Sequence, residues 1–205
     1  VGELFKSLGA SYIINGGQTM NPSTEDILKA IEEVNADKVI ILPNNKNIFM
    51  AADQAAEVAE IPVVVVPAKT IPQGMTAMLS FNEQADLEAN KEAMTEALES
   101  VVSGSVTHAI RNTSIDGIEI TEGDFIGMVD SKIVISEKDR VQTAVDTLNK
   151  MLNEDTEIVT IIFGDEAKEK EAQSIADQLT AAHPDLEVEI HQGDQPVYPY
   201  LFAAE

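Results

Sequence analysis

Tyr12-Ile13-Ile14, Val39-Ile40-Ile41-Leu42 and Val63-Val64-Val65-Val66 are three short apolar runs within residues 12–74, and their reading decides the fold. Each run feeds a loop rich in Asn, Gln, Thr, Pro or Gly. The first opens into Gly16-Gly17-Gln18-Thr19-Met20-Asn21-Pro22-Ser23-Thr24, and the second into Pro43-Asn44-Asn45-Lys46-Asn47. The third opens into Pro67-Ala68-Lys69-Thr70-Ile71-Pro72-Gln73-Gly74. Helical patterns follow: Ile27, Leu28, Ile31 and Val34 form one stripe, and Ala51, Ala52, Ala55 and Ala59 form a small-residue face suited to close packing. Continuous apolar runs alternating with helical patterns predict a parallel sheet with helices on its faces. Such sheets bind ligands and partners beyond the carboxyl ends of their strands. The candidate site residues are therefore Gln18, Thr19, Asn44, Asn45, Lys46, Asn47, Lys69, Thr70 and Gln73. Turn and cap geometry explains part of this set. The density of amides across three consecutive strand ends leaves the rest for a contact.

Working outward, Gly9 ends a short helix over residues 2–8, and Ser23 with Asp26 three residues on reads as a capping box. One or two helical turns follow Gly74, and residues 82–100 read as a long acidic helix with Leu87, Met94 and Leu98 inward. The period changes over residues 104–136, where short alternating runs are broken at Asp116-Gly117, Glu122-Gly123-Asp124 and Asp130-Ser131. That spacing predicts an antiparallel meander. A helix over 138–152, a strand over 158–163, a helix over 166–182, a strand over 186–190 and a closing strand over 197–203 complete the chain. Gly193-Asp194-Gln195-Pro196 echoes the Gly-Gly-Gln loop of the first half. The fold class read from this pattern is α/β, with two related subdomains, 1–103 and 104–205. Both have parallel-strand cores, and the second carries a β-meander.

With 36 acidic against 13 basic residues the formal charge is −23, a field that repels phosphate backbones and anionic bilayers. Nucleic acid and direct membrane insertion are therefore not expected, and no apolar run approaches the ~20 residues of a spanning helix. The absence of cysteine excludes disulfides, thiolate metal sites and a cysteine nucleophile. His108, His183 and His191 have no partner at metal-ligand spacing and read as structural. There is no dinucleotide fingerprint, no phosphate loop and no Gly-x-Ser-x-Gly elbow. Carboxylates are abundant, but sequence alone does not select an acid–base pair among them. The chain opens at Val1 without an initiator Met, and the expectation is a piece of a longer cytoplasmic protein, with no catalysis of its own.

At the loops the chain resembles a known family. Gly-Gly-Gln-Thr-Met-Asn-Pro-Ser-Thr (16–24), Ile-Leu-Pro-Asn-Asn-Lys-Asn (41–47) and Lys-Thr-Ile-Pro-Gln-Gly (69–74) are similar to the C-terminal region of the A-subunit of bacterial fatty acid kinase. So are Asp-Gly-Ile-Glu-Ile-x-x-Gly-Asp-Phe-Ile-Gly (116–127) and Gln-Pro-Val-Tyr-Pro-Tyr (195–200). The resemblance implies a DegV-like fold within a dihydroxyacetone-kinase-like parent. It implies that ATP and Mg are held by the parent's N-terminal domain, with no cofactor in this chain. It also implies two partners, the rest of the parent kinase chain and a separate DegV-like fatty-acid-binding protein. Lipid binders of the DegV type hold a carboxylate with a Ser/Gly/Thr-rich second loop, whereas this chain has Pro43-Asn44-Asn45-Lys46-Asn47, whose longer amides would crowd such a pocket. The expected role is docking, with acidic faces steering the partner and strand-end loops setting its register. The alternatives are a small-molecule or fatty-acid site at the same loops, and an oligomerisation domain.

Overall fold

The structure, a computed structural model, describes residues 1–15 and 21–205. They form two compact units, Gly2–Ser100 and Val101–Glu205, the latter joined by Val1.

In the Gly2–Ser100 unit, α1 (Gly2–Ser7) stops before Gly9, whose φ of 110° only glycine adopts freely. Then come α2 (Thr24–Val34), β1 (Val39–Ile41), α3 (Phe49–Val58), β2 (Val63–Val65), α4 (Ile71–Leu79) and α5 (Leu87–Ala97). β1 and β2 pair in parallel, Val39 opposite Val63 and Ile41 opposite Val65. The continuous apolar runs are explained by two separate cores, because successive strand residues point to opposite faces. Val39, Ile41, Val63 and Val65 pack with Ile27 and Ile31 of α2 and Ala52 and Ala55 of α3. Ile40, Leu42 and Val66 pack on the other side with Ala77 of α4, Met94 of α5 and Leu98. The capping box at the start of α2 is present, Ser23 Oγ accepting from Asp26 N–H and Asp26 accepting from Ser23 N–H. One expectation fails: Tyr12-Ile13-Ile14 joins no strand among the described residues. Tyr12 is 41% exposed and its hydroxyl donates to Glu33 Oε2 at 2.6 Å, so this run lacks the two-sided cover that β1 and β2 have. The acidic helix is also shorter than its pattern, as Asp86 caps α5 and residues before it turn.

The Val101–Glu205 unit contains β3 (Val102–His108), β4 (Thr113–Ile115), β5 (Ile118–Ile120), β6 (Phe125–Val129), β7 (Lys132–Glu137), α6 (Arg140–Met151), β8 (Ile158–Phe163), α7 (Glu169–Ala182), β9 (Glu187–Gln192) and β10 (Tyr200–Ala204). Six strands form one sheet in the order β7-β6-β3-β10-β8-β9. The meander expected over 104–136 is β3, β6 and β7, all antiparallel, while β4 and β5 leave it as a separate hairpin. Asp116 and Gly117 make the hairpin turn with φ of 53° and 80°, both in the left-handed region a two-residue turn requires. β8 and β9 are parallel, and β10 lies between β3 and β8, antiparallel to both. Val106, Leu148, Val159, Ile161, Ile175, Leu179, Tyr200 and Phe202 are all fully buried in one core that α6 and α7 complete. Two glycines admit α6: a Cβ at Gly104 would lie 2.3 Å from Met151 Sδ, and one at Gly127 would lie 1.9 Å from Thr147 Oγ1. The closing strand starts at Tyr200 rather than 197. Val197 has φ of 71° and Tyr198 N–H donates to Pro196 O at 2.7 Å, a three-residue turn in a strained conformation.

Candidate functional site: the strand-end edge

The loops after β1 and β2 lie side by side because their strands are paired neighbours. Asn44 follows Pro43 in the left-handed region, φ 58°, which asparagine tolerates better than most residues. Its amide lies directly on Gly74, where a Cβ would fall 2.0 Å from Asn44 Oδ1. That oxygen is buried and has no hydrogen-bond donor among the described residues. The two loops are thus stitched together by packing. Asn45 then caps a 3-10 turn over Lys46–Ile48 that leads into α3, its Oδ1 accepting from Asn47 N–H at 2.9 Å. Across the edge, Thr70 caps α4, its Oγ1 accepting from Gln73 N–H at 3.1 Å. Gln73 returns the bond: its Oε1 accepts from Lys69 N–H at 2.7 Å, while its Nε2 donates to Leu98 O at 3.4 Å.

Of the residues singled out from the sequence, Asn44, Asn45, Thr70 and Gln73 are therefore engaged in building the loops. Lys46, Asn47 and Lys69 stand exposed on that platform. Gln18 and Thr19 lie outside the described residues. Within these two loops the ionisable side chains are Lys46 and Lys69, with no histidine and no carboxylate.

The Val101–Glu205 unit has its own strand-end edge, and sequence reasoning missed what stands there. His108, at the end of β3, shares a 2.6 Å hydrogen bond with Glu166 in the loop after β8, both about 40% exposed. Beside it, Thr107 Oγ1 donates to the carbonyl of Val197 at 2.8 Å. The His108 ring lies 4.9 Å from that of Phe125, and the Arg140 guanidinium stands over the Phe125 ring at 5.9 Å. Arg140 in turn donates through Nε and Nη2 to both oxygens of Glu171, at 2.7 and 2.9 Å, and Tyr200 donates its hydroxyl to Glu171 Oε1 at 2.8 Å. The Arg140 hydrogen bonds hold the Glu171 carboxyl below the usual carboxylate range, against the pull of burial. Burial, reinforced by that carboxylate, pushes Tyr200 far above the ordinary phenol range. Tyr200 therefore stays a neutral donor, and the group is a satisfied framework. The chain holds only two arginines, Arg111 and Arg140, and arginine is the residue suited to a half-buried bidentate pair. That rarity was the available signal, but nothing in one sequence joins position 140 to 171.

The other histidines are surface groups: His183 meets Asn149 Oδ1 at 2.9 Å, and His191 lies 3.7 Å from Glu189. No set of three His, Cys, Asp or Glu among the described residues could hold a metal ion. At the end of β7, the Glu137 carboxyl is raised by burial and by its neighbours Asp146 and Asp139. No helix among the described residues is long and apolar enough to cross a membrane.

Comparison with known proteins bears on this arrangement. The family model for fatty acid kinase A-subunit-like (FakA-like) C-terminal domains matches residues 1–205. The uncharacterized protein SERP0792 of Staphylococcus epidermidis is 51% identical over 205 residues, all of this chain and 37% of that protein. The uncharacterized protein SAOUHSC_01193 of Staphylococcus aureus is 48% identical over the same span. The chain thus spans 37% of the length of these relatives. Among solved structures, the DegV family protein Cg2579 of Corynebacterium glutamicum aligns with a TM-score of 0.63 at 13% identity, covering 100% of this chain and 91% of that one. The fatty acid kinase B3 protein of Streptococcus pneumoniae, loaded with linoleic acid, gives 0.62 at 14% identity, covering 90% and 76%. The dihydroxyacetone kinase of C. freundii gives 0.57 at 14% identity, covering 90% of this chain and 41% of that one. At such identities the likeness is one of fold, and the fold is that of the DegV proteins.

Proposed function

This chain belongs to the FakA-like C-terminal family of fatty acid kinase, and from that premise we propose that it is the docking component of a fatty acid kinase. Its partner in this reading is a DegV-like protein loaded with fatty acid. Docking presents the fatty acid carboxylate to an ATP- and Mg-binding domain elsewhere in the parent chain, where it is phosphorylated to an acyl phosphate. Bringing a carrier and a phosphoryl donor into one assembly converts a bimolecular encounter into a positioned one, the larger part of what phosphoryl transfer asks of a protein.

The observation that carries the reading is the division of labour at the strand-end edge of Gly2–Ser100. Four polar residues of the two loops are consumed in holding their shape, and Lys46, Asn47 and Lys69 are left facing outward. A rigid platform with outward side chains suits a protein contact. The rival reading, a small carboxylate held in the loops, needs convergent backbone donors, and the N–H groups of Asn47, Lys69 and Gln73 are already bonded within the loops.

Calorimetric titration of this chain with a fatty-acid-loaded DegV-like protein from the same organism tests the reading. Saturable binding is the expected result. No heat from a folded chain and an active partner sinks it. Mixed with ATP, Mg and free fatty acid, the chain alone should form no acyl phosphate, and measurable product would overturn its assignment as noncatalytic.

A further inference from the structure

The loop between β9 and β10 is held in a conformation that its own residues resist. Asp194 and Val197 both have positive φ, 55° and 71°. Val197 is the centre of the three-residue turn closed by Tyr198 N–H on Pro196 O, where a β-branched side chain is a steric outlier. The surroundings impose that turn. Gln195 is buried, its Nε2 donating to Ile162 O at 3.2 Å and to Tyr198 O at 3.0 Å, while its carbonyl accepts from Asp165 N–H at 3.1 Å. Two glycines admit the fit: a Cβ at Gly164 would lie 2.5 Å from Tyr198 O, and one at Gly193 would lie 2.1 Å from Gln195 Oε1. From β3, Thr107 Oγ1 fixes the Val197 carbonyl. The side chain presented by all this is apolar and left 47% exposed. Glycine would make the same turn at no steric cost. Ile110, two residues past the end of β3 at the same strand-end edge, is 83% exposed.

We infer that Val197 and Ile110 are the apolar contacts of a docking surface on the Val101–Glu205 unit, and that its occupant is the DegV-like partner, which meets it with an apolar patch flanked by basic side chains. The inference rests on the docking reading above and adds a second contact surface to it. Strained residues that the surrounding structure over-determines cluster where a protein meets its ligands, and here the strained side chain is half outside the core. Charge selects the occupant. Asp194 lies in the same loop as Val197, and Asp165 and Glu166 lie in the loop bonded to it through Gln195 O. Glu166 is matched by His108, whereas Asp165 and Asp194 are exposed and have no ion-pair partner among the described residues. An apolar contact bordered by unmatched carboxylates favours a basic rim opposite it. A second copy of this chain would instead bring the same carboxylates, and a net charge of −23, against themselves.

The test is binding of the fatty-acid-loaded DegV-like protein to wild type, Val197→Gly, Ile110→Ser and Asp165→Asn/Asp194→Asn, with urea midpoints measured alongside. Val197→Gly should weaken Kd by about 10-fold while raising the urea midpoint, a pairing that damage to the fold does not produce. Ile110→Ser should weaken Kd by about the same factor at an unchanged midpoint, and it decides the matter should the change at 197 unsettle the loop. Removing the two carboxylates should slow association by roughly 3- to 10-fold at low salt, with the difference lost at high salt. If wild type binds and both apolar variants bind equally well, or if carboxylate removal leaves association untouched, the inference fails while docking stands. It fails in the same way if wild type self-associates and Ile110→Ser does not, since the occupant is then a second copy. If wild type itself does not bind the partner, the docking reading fails and takes the inference with it.

Discussion

At the scale of single residues, Asn44 and Gly74 make the clearest pair. The amide of Asn44 occupies the space a side chain at 74 would need. Gly74→Ala should therefore cost about 1–3 kcal/mol by overpacking, read as a fall in the urea midpoint. In an Asn44→Gly background, which keeps the left-handed φ at no steric cost, the same change should cost under about 1 kcal/mol. Equal penalties in both backgrounds would show that the contact is not what holds Gly74. Val197 is the opposite case, a β-branched residue at φ 71°. Val197→Gly should raise stability by about 1 kcal/mol, the relief of strain exceeding the entropy glycine adds to the unfolded chain; a loss would mean that the exposed isopropyl group packs more than its 47% exposure suggests. Neither residue's strain is legible in sequence. Pro43-Asn44-Asn45 and Pro196-Val197-Tyr198 both announce turns, but the sign of φ depends on which neighbour the turn must clear, and Gly74 lies thirty positions from Asn44.

At the scale of elements, the helices and strands were legible where one face or both are buried by local pattern. The stripe of α2 and the two-sided runs of β1 and β2 follow directly from residue periods. Tyr12-Ile13-Ile14 has the same composition and no strand, because composition does not say whether cover exists on both faces. One cap was legible as well: Ser23 with Asp26 announces itself by spacing, whereas Thr70, singled out as a contact residue, caps α4 through Gln73 N–H. Thr70→Ala should cost about 1 kcal/mol and loosen the start of α4, with Thr70→Ser recovering most of it in chemical denaturation. The pairing of α6 with α7 through Arg140 and Glu171 was not legible, since 31 residues separate the partners and every helix of this unit has carboxylates nearby in sequence. Glu171→Gln should cost about 2–3 kcal/mol, because it removes a charged acceptor that serves both Arg140 and the buried Tyr200 hydroxyl. If that change were silent, the network would not be supporting the fold.

At the scale of the whole molecule, two carboxyls act on stability in opposite senses. Glu171 is held low by Arg140, so its contribution is complete above the ordinary carboxylate pKa and is lost as pH falls through its depressed folded value. Glu137 is held high by burial and by Asp146, so its contribution belongs to the protonated form. It is complete at low pH and disappears as pH rises from the ordinary carboxylate value through the raised one. Denaturation midpoints followed across the carboxylate range should show both slopes, Glu171→Gln flattening the acid side and Glu137→Gln the upper side. A profile unmoved by either variant would leave both shifts without thermodynamic weight. The α/β class was legible at this scale because strand runs and helical periods alternate. The insertion of the last strand between two others was not, because no local period encodes which strands become neighbours.

That last feature sets an order of events during synthesis. β3 and β8 are joined in the sheet only through β10, so on the ribosome both strands emerge with a bare edge and wait for Tyr200–Ala204. The Gly2–Ser100 unit draws its paired strands and the helices that cover them from its own residues and is free to fold first. A chain cut short of Tyr200 should therefore present a finished Gly2–Ser100 unit followed by a sticky, protease-sensitive remainder, and restoring Tyr200–Ala204 should close it in one cooperative step.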